Sequence, residues 1–254
     1  MNNQNNSVQG PSGGDLDSWI LPGAAVKVSA STRQLSEWNP STLRVKEIEE
    51  QLLNLRGSLI CAFNQLLDLK DLNTGVHSTR LAEWAIHVAS ELGLGERALA
   101  DIEVAALLHD IGKVGIPDAI LNKPAKLTSE EYDLMKKHPE YGWAVLHQMP
   151  GFEQASLLIL HHHESFDGKG YPGGLKGEEI PMGSRIVSVI DAFDAMVSSR
   201  PYRSGLPVEE AIRRLVESSG TQFDPGVVTK FLPLARAEMS AVFAAAGTSV
   251  TAAL

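Results

Sequence analysis

The chain has 254 residues, of which 43% are hydrophobic and 21% charged, and this composition excludes a wholly disordered protein. Its 22 Lys and Arg against 31 Asp and Glu give a formal net charge of −9, which argues against a protein that binds a nucleic-acid polymer by phosphate neutralisation. The single cysteine, Cys61, excludes a disulfide framework and a cysteine-based zinc module, and no apolar run approaches the ~20 residues that span a bilayer.

The N-terminal region is predicted to be largely irregular. Residues 1–17 are rich in Asn, Gln, Ser and Gly, so they cannot bury apolar surface and predict a disordered tail. Residues 18–40 contain short apolar pieces broken by prolines and could form a linker or a small element such as a strand. The first ten residues, MNNQNNSVQG, lack the basic start and apolar stretch of a secretory signal. We therefore expect a soluble, cytoplasmic protein.

From Ser41 onward, the apolar residues recur at helical spacing and strand signals are almost absent, so the predicted fold class is all-α. The first segment, 41–70, is predicted to be a connecting helix. It could dimerise and make the chain a homodimer, transmit a signal, or pack as the first helix of the domain that follows.

The later segments predict a compact series of helices. They cover residues 77–92, 98–111, 128–148, 153–163, 184–198, 207–219 and 225–245, with a flexible tail over 241–254. Thr128 and Glu131 form a capping box, and Pro139 is expected to kink or divide the helix that it opens. Residues 165–183 are rich in glycine and predict a long, specific loop.

Four of the eight histidines continue apolar stripes on separate predicted helices. These are His77, His109, His138 and His162. Each buried imidazole needs a polar partner, and one shared cation would satisfy all of them. Asp110 and Asp191 would supply carboxylates, and a donor set of imidazole and carboxylate without thiolate suits iron, manganese, zinc or similar ions. The pattern therefore predicts a metal site.

Three other histidines are interpreted differently. His87 lies on another face of its helix and is expected at the surface, whereas His147 could cap the last carbonyls of its helix. His161 directly precedes His162 and leaves the register of the metal site open at this point.

Six strings resemble, in order and spacing, the motifs of the HD-GYP family, metal-dependent phosphodiesterases of cyclic di-GMP within the HD superfamily. The strings are ALLHDIGKVGIPDAIL (106–121), KKHPEYG (136–142), HHESFDGKGYPGGLKGEEIP (162–181), RIVSVIDAFDAM (185–196), SSRPYR (198–203) and GTQFDP (220–225). The resemblance extends from about Asp71 to Leu232 and implies an HD-type helical bundle domain over residues 71–240.

The resemblance also implies a set of ligands for two divalent metal ions. Iron or manganese is favoured, and zinc, nickel or cobalt would be accepted by the same groups. One ion would be held by His77, His109, Asp110 and Asp191, and the other by Asp110 as a bridge with His138, His162 and His163. Some family members carry a Glu that enables a third metal where this chain has Asn73, so two metals are expected.

Further residues are expected around these ligands. Lys113 matches the lysine that contacts the substrate phosphate, and Tyr171 and Arg200 match residues that line the dinucleotide site. Asp194 lies three residues after Asp191 and is expected to orient a ligand or an arginine. Arg185 is expected to be structural, with Glu164 or Asp194 as its partner.

The activity that the resemblance implies is hydrolysis of cyclic di-GMP to linear pGpG, or onward to GMP. A hydroxide that bridges two metals about 3.5–4 Å apart would attack the phosphodiester, with Asp110 and Lys113 as catalytic residues. Two alternatives stay open. The chain could hydrolyse another cyclic dinucleotide, or it could be a low-turnover module that senses a nucleotide or docks a signalling partner through the GYP loop.

Overall fold

A computed structural model describes residues 40–70, 75–198 and 204–250, with side chains over 43–70, 77–198 and 204–237. The predictions for residues 1–39, Asn73, Arg200 and the end of the predicted tail, 251–254, fall outside these ranges. Contacts divide the chain into two units, Met1–Glu49 and Glu50–Leu254. In the first unit, the described residues are the first turns of a helix, and residues 43–49 are exposed.

The described residues form α-helices and no strand, which confirms the predicted all-α class. The helices are α1 (Pro40–Lys70), α2 (Gly75–Glu91), α3 (Glu96–Leu108), α4 (Asp118–Leu121), α5 (Ser129–Met135), α6 (His138–Leu146), α7 (Glu153–Leu160), α8 (Met182–Val197), α9 (Val208–Glu217) and α10 (Pro225–Val250). Two 3₁₀ turns lie at Ile111–Gly115 and Gly177–Glu179. Among the described helices, none has the length and apolar character needed to cross a membrane.

Several boundaries differ from the predicted ones for local reasons. The predicted helix 128–148 is divided into α5 and α6, which is one of the two outcomes expected from Pro139. Pro139 lies in the first turn of α6, where a missing N–H breaks no helical bond. The capping box is present, because Thr128 N–H donates to Glu131 and Glu131 N–H donates to Thr128. The helix α3 ends at Leu108 rather than 111, since the chain turns at His109 and continues as a 3₁₀ turn. The sequence did not predict α4, and α10 continues beyond residue 245 to Val250.

The core of the second unit joins α2, α8 and α10 through three aromatic rings. The centroid of Trp84 lies 5.8 Å from those of Phe193 and Phe231, which lie 5.0 Å from each other. The helix α3 packs against α2, α7 and α8 and buries Ile102, Val104, Ala105, Ala106 and Leu108. Since α3 is central, the residue that follows it, His109, lies where neighbouring helices can bring their polar side chains.

The 3₁₀ turn after α3 lies directly against α6. A Cβ atom on Gly112 would come within 1.8 Å of the carbonyl oxygen of His138 and 2.5 Å of the backbone nitrogen of Gly142. Only glycine fits so close a backbone approach. This contact holds Asp110, just before the turn, beside His138 at the start of α6.

Candidate metal centre

Six of the predicted ligands form two groups in the second unit. In the first group, His77, His109 and Asp191 bring ligand atoms to within 4.8 Å of one another. In the second group, His138, His162 and His163 meet the same limit. His77 and Asp191 lie on α2 and α8. Of the other four, His109 follows α3, His138 begins α6, and His162 and His163 follow α7.

Asp110 lies between the two groups. Its Oδ2 is 3.3 Å from Nε2 of His109, and its Oδ1 is 3.4 Å from Nε2 of His138. One carboxylate oxygen thus faces each group, which is the placement that a bridging ligand requires. The neighbouring positions of His109 and Asp110 allow a single turn of chain to serve both groups.

Three of the histidine rings are oriented by the same local hydrogen bond. The Nδ1 atoms of His109, His138 and His162 lie 2.9, 2.9 and 2.6 Å from the carbonyl oxygens of Ala106, Met135 and Ile159, three residues earlier. Since a carbonyl only accepts, each Nδ1 must carry the proton in the neutral ring. Each Nε2 then presents its lone pair to the centre of the site.

The environment of His109 fits a divalent cation. Its Nε2 is buried and has no hydrogen-bond partner within the described part of the chain. That nitrogen faces carboxylate oxygens of Asp110 at 3.3 Å and of Asp191 at 3.7 Å. Acceptors that face one another in a buried site need a positive charge between them, either a proton or a metal ion. The imidazole and carboxylate donors are those that iron, manganese and zinc accept.

The two groups differ in their protonation. In the second group, burial, together with the charge of neighbouring histidines, lowers the pKa of His162 well below its usual range and that of His163 to about 4. Burial also lowers the pKa of His138, although Asp110 opposes the shift. These three rings are therefore neutral at pH 7, and their lone pairs are available to a metal without displacing a proton.

In the first group, the nearby carboxylates affect the histidine pKa values more strongly than burial does. Burial disfavours a charged His77, but hydrogen bonds to Asp191 and Asp194 raise its pKa to about 9. The pKa of His109 is also raised, because Asp110 and Asp191 overcome the effect of burial. Burial alone would raise the pKa of Asp110, yet Lys113 and His109 hold it well below its usual range. A metal in this group would therefore replace protons.

Asp194, which was predicted to orient a ligand or an arginine, contacts both His77 and Arg80. Its side chain is fully buried, and Oδ2 is in close contact with Nδ1 of His77. Nε2 of the same ring is then 3.5 Å from Oδ1 of Asp191. Arg80 donates from Nε to Asp194 Oδ1 at 2.7 Å, and Ser198 donates to Oδ2 at 3.1 Å. The sequence prediction missed Arg80, although its place one turn after His77 on α2 puts both side chains on the same face.

Lys113 and Tyr171 border the ligand groups. Nζ of Lys113 is 2.7 Å from Oδ2 of Asp110. The ring of Tyr171 lies 5.0 Å from that of His163, and its backbone N–H donates to the His163 carbonyl oxygen at 3.2 Å. Burial raises the pKa of the Tyr171 hydroxyl, so it remains a proton donor. A cation and an aromatic ring thus lie at the edge of the two candidate ligand groups.

Glu164 holds the glycine-rich loop that carries Tyr171. Its buried carboxylate accepts the N–H groups of Gly173 at 2.6 Å and Leu175 at 3.1 Å. The predicted pairing of Arg185 with Glu164 or Asp194 was wrong. Arg185 instead donates to Asp224 Oδ2 at 2.6 Å and to the Ile180 carbonyl at 2.9 Å. The sequence could not predict that Glu164 anchors the loop. Its partners are backbone N–H groups about ten residues away, and every residue type except proline has such a group.

The remaining histidines lie outside the ligand groups. His87 is exposed on α2, and Nδ1 of His147 is 3.0 Å from the carbonyl oxygen of Trp143, as predicted for a capping residue. His161 faces Glu164 at 3.4 Å. The register left open by the sequence is therefore the one in which His162 and His163 face the other ligands.

Large parts of this chain match known proteins. The family model described as "HD domain" matches residues 61–227. A cyclic di-GMP phosphodiesterase of Thermotoga maritima is 45% identical over 173 residues, which are 67% of this chain and 47% of the relative. A 3'3'-cGAMP-specific phosphodiesterase of Vibrio cholerae is 33% identical over 223 residues, 82% of this chain and 47% of the relative.

A solved structure shares the fold. It is a cyclic GMP-AMP-specific phosphodiesterase from V. cholerae, with a TM-score of 0.55 and 23% identity, and the match covers 70% of this chain and 48% of that one. The chain spans about half the length of the curated relatives that it matches.

Proposed function

This chain belongs to the HD-domain family and, within it, to the HD-GYP branch, and from that premise we propose that it hydrolyses the phosphodiester bond of cyclic di-GMP. The product is linear pGpG. The proposal includes two divalent metal ions, iron or manganese, as cofactors. The name of the Thermotoga maritima relative supports the choice of substrate.

The observation that carries the proposal is the position of Asp110 between two groups of histidines. Its two oxygens face Nε2 atoms of His109 and His138 at 3.3 and 3.4 Å. The first ion would be held by His77, His109, Asp110 and Asp191. The second ion would be held by Asp110, His138, His162 and His163. When bound, a pair of divalent ions supplies positive charge to a phosphate and makes a bound water more acidic.

The ligand chemistry favours an anionic substrate despite the net charge of the chain. The two aspartates offset only half of the formal charge of two divalent ions, and the other ligands are imidazoles that bind metals in their neutral form. A positive centre thus remains to attract a phosphodiester. Carboxylates in place of the histidines would remove this property.

Around the centre, protein groups would orient the substrate. Lys113 is within hydrogen-bonding distance of Asp110 and can donate to a phosphoryl oxygen beside it, as a fixed cation. Tyr171 presents its ring beside His163, where it can stack on a guanine base. Arg200, outside the described residues, is proposed to bind a phosphate or a guanine edge.

A second candidate substrate is 3'3'-cGAMP. The observation that favours it is the match to the V. cholerae enzyme, which covers more of this chain than the Thermotoga maritima match does. Both substrates carry the same diester and differ in one base, so the metal ligands cannot distinguish them. Discrimination would depend on residues that contact the base.

The proposal is tested with the full chain purified anaerobically and supplied with Fe²⁺ or Mn²⁺. Metal content is measured, and hydrolysis of cyclic di-GMP, 3'3'-cGAMP and cyclic di-AMP is followed by chromatography. We expect pGpG from cyclic di-GMP, and a loss of at least 100-fold in His109→Ala. The matched control is His87→Ala, an exposed histidine outside the ligand groups, which should keep full activity.

Two results would contradict the proposal. Stoichiometric metal without hydrolysis of any cyclic dinucleotide would favour a sensing or docking module instead. Faster turnover of 3'3'-cGAMP than of cyclic di-GMP would keep the chemistry and replace the substrate.

A further inference from the structure

The first helix carries an apolar repeat that the proposed catalytic site does not use. Along α1, apolar residues alternate at spacings of three and four, and they are Val45, Ile48, Leu52, Leu55, Leu59, Ala62, Leu66 and Leu69. We call these residues the α1 seam. They fill the a and d positions of four consecutive heptads, with Val45 at a. This repeat is the sequence signature of a coiled coil.

Most of the seam is open to solvent. The exposed fraction is 60% for Leu52, 56% for Leu55, 54% for Leu66 and 83% for Leu69. Val45 and Ile48, which continue the spacing toward the N-terminus, are also exposed. A row of exposed large aliphatic side chains on one helix face is typical of an interaction surface.

The face of α1 that packs on the body of the second unit is mainly a different one. Ile60, Phe63 and Leu67 contact its hydrophobic core, and so does Leu59, the one seam residue that is only partly exposed. Leu67 is fully buried. Arg56 approaches Asp101, and Lys70 pairs with Asp118 at 2.6 Å. Apart from Leu59, these α1 residues occupy b and e positions of the heptad. At 100° per residue, that face is about a quarter turn from the centre of the seam. The body therefore leaves most of the seam accessible.

We propose that the α1 seam binds the seam of a second copy of this chain, so that two α1 helices form a parallel coiled coil and the protein is a homodimer. One pair of complementary charges favours the parallel orientation. In a parallel pair, Arg44 at a g position lies opposite Glu49 at the following e position of the second copy, and the reverse pair forms by symmetry.

The packing of α1 also limits how many chains the coiled coil can contain. Bundles of three or more helices cover the e and g positions as well as a and d. Here the e positions Arg56, Phe63 and Lys70 already contact the chain's own second unit. A single additional helix on the a and d positions is compatible with those contacts. This inference is independent of the proposed function.

The oligomeric state tests the proposal. Light scattering coupled to size-exclusion chromatography of the full chain should give twice the 27.4 kDa of one copy. The variant Leu55→Glu places a charge in the seam and should halve that mass. The matched control is Leu53→Glu, a residue that is 66% exposed on the same helix but occupies a b position, and it should remain a dimer. Circular dichroism should show the same helix content in all three proteins.

The orientation is tested by disulfide formation. Ile48→Cys is introduced with Cys61→Ser, because Cys61 is exposed and would form mixed products. In a parallel pair, the two introduced thiols at position 48 are adjacent across the seam, and mild oxidation should give a covalent dimer. In an antiparallel pair they are tens of ångströms apart.

Each other outcome overturns part or all of the proposal. A wild-type chain that is monomeric at micromolar concentration rejects the dimer, and loss of the dimer in Leu53→Glu rejects the seam as its basis. A dimer that forms no disulfide through position 48 rejects the parallel orientation.

Discussion

Oε1 of Glu164 accepts the N–H of Gly173 at 2.6 Å, and this bond ties the loop that carries Tyr171 to the residue after His163. The same carboxylate accepts the N–H of Leu175. A buried carboxylate with two backbone donors is strongly held, because each hydrogen bond to a charged group contributes about 1.5–3 kcal/mol. The hydrogen bonds of Glu164 thus hold the loop next to the second ligand group.

Replacing Glu164 by Gln should loosen the loop. The amide nitrogen of Gln would face one of the two N–H donors, so one bond is lost and one donor is left unsatisfied. We expect KM to rise more than kcat falls, with a loss of about 2 kcal/mol in the free energy of unfolding. Steady-state kinetics and urea denaturation measure both effects. Glu179→Gln, which alters an exposed cap in the same loop, is the control; equal effects in both variants would refute this role for Glu164.

Asp194→Asn should weaken metal binding without removing a ligand. The substitution removes the charge that orients His77 and leaves Arg80 without its carboxylate partner. Outer partners of metal ligands typically contribute 10- to 100-fold in affinity, and we expect a decrease of that size. Calorimetric titration with Mn²⁺ measures it. Asp224→Asn, which breaks the ion pair with Arg185, should lower stability and keep the metal affinity. Unchanged affinity in Asp194→Asn would count against the orienting role.

Lys113→Met should reduce catalysis while the metals stay bound. The methionine side chain retains much of the apolar stem and loses the cation near Asp110. We expect kcat/KM for cyclic di-GMP to decrease about 100- to 1000-fold, since a fixed charge on the reacting phosphate is removed. Metal content by elemental analysis should not change. The control is Lys169→Met, which removes an exposed lysine from the glycine-rich loop. A parallel loss of metal would instead assign Lys113 a structural role.

The stability of the metal-free protein should depend on pH through the second ligand group. Burial lowers the pKa of His163 from 6.5 to about 4. Between these values the unfolded chain binds the proton and the folded chain does not, so the free energy of unfolding falls as the pH decreases. His163 alone would account for about 2 kcal/mol between pH 7 and pH 5. His138 and His162 shift in the same direction.

Urea denaturation at several pH values in the presence of a chelator measures this dependence. The decrease below pH 6.5 should be smaller in His163→Ala and unchanged in His87→Ala. His77 affects the free energy of unfolding over a different pH range, because its pKa is raised to about 9. Its contribution is present below pH 6.5 and is lost as the pH rises through 9. A metal-free protein equally stable at pH 7 and pH 5 would contradict the assignment.

The sequence by itself determined the helical class and the kinds of atoms available for the chemistry. Helical spacing and the capping box at Thr128 are local properties, because they depend on residues within one or two turns. The residues His77, His109, His138 and His162 were identifiable because each continues an apolar stripe and so faces the core. The family was recognisable because its motifs occur in order along the chain.

The tertiary structure decided which atoms meet. The place of Asp110 between His109 and His138 depends on the contact of Gly112 with α6, and the pairing of Arg80 with Asp194 joins α2 to α8. The choice of His162 and His163 over His161 depends on where α7 ends. Likewise, a heptad repeat predicts a seam, but only the packing of Phe63 and Leu67 shows which face of α1 remains exposed. These relationships join residues far apart in sequence, where local periodicity carries no information.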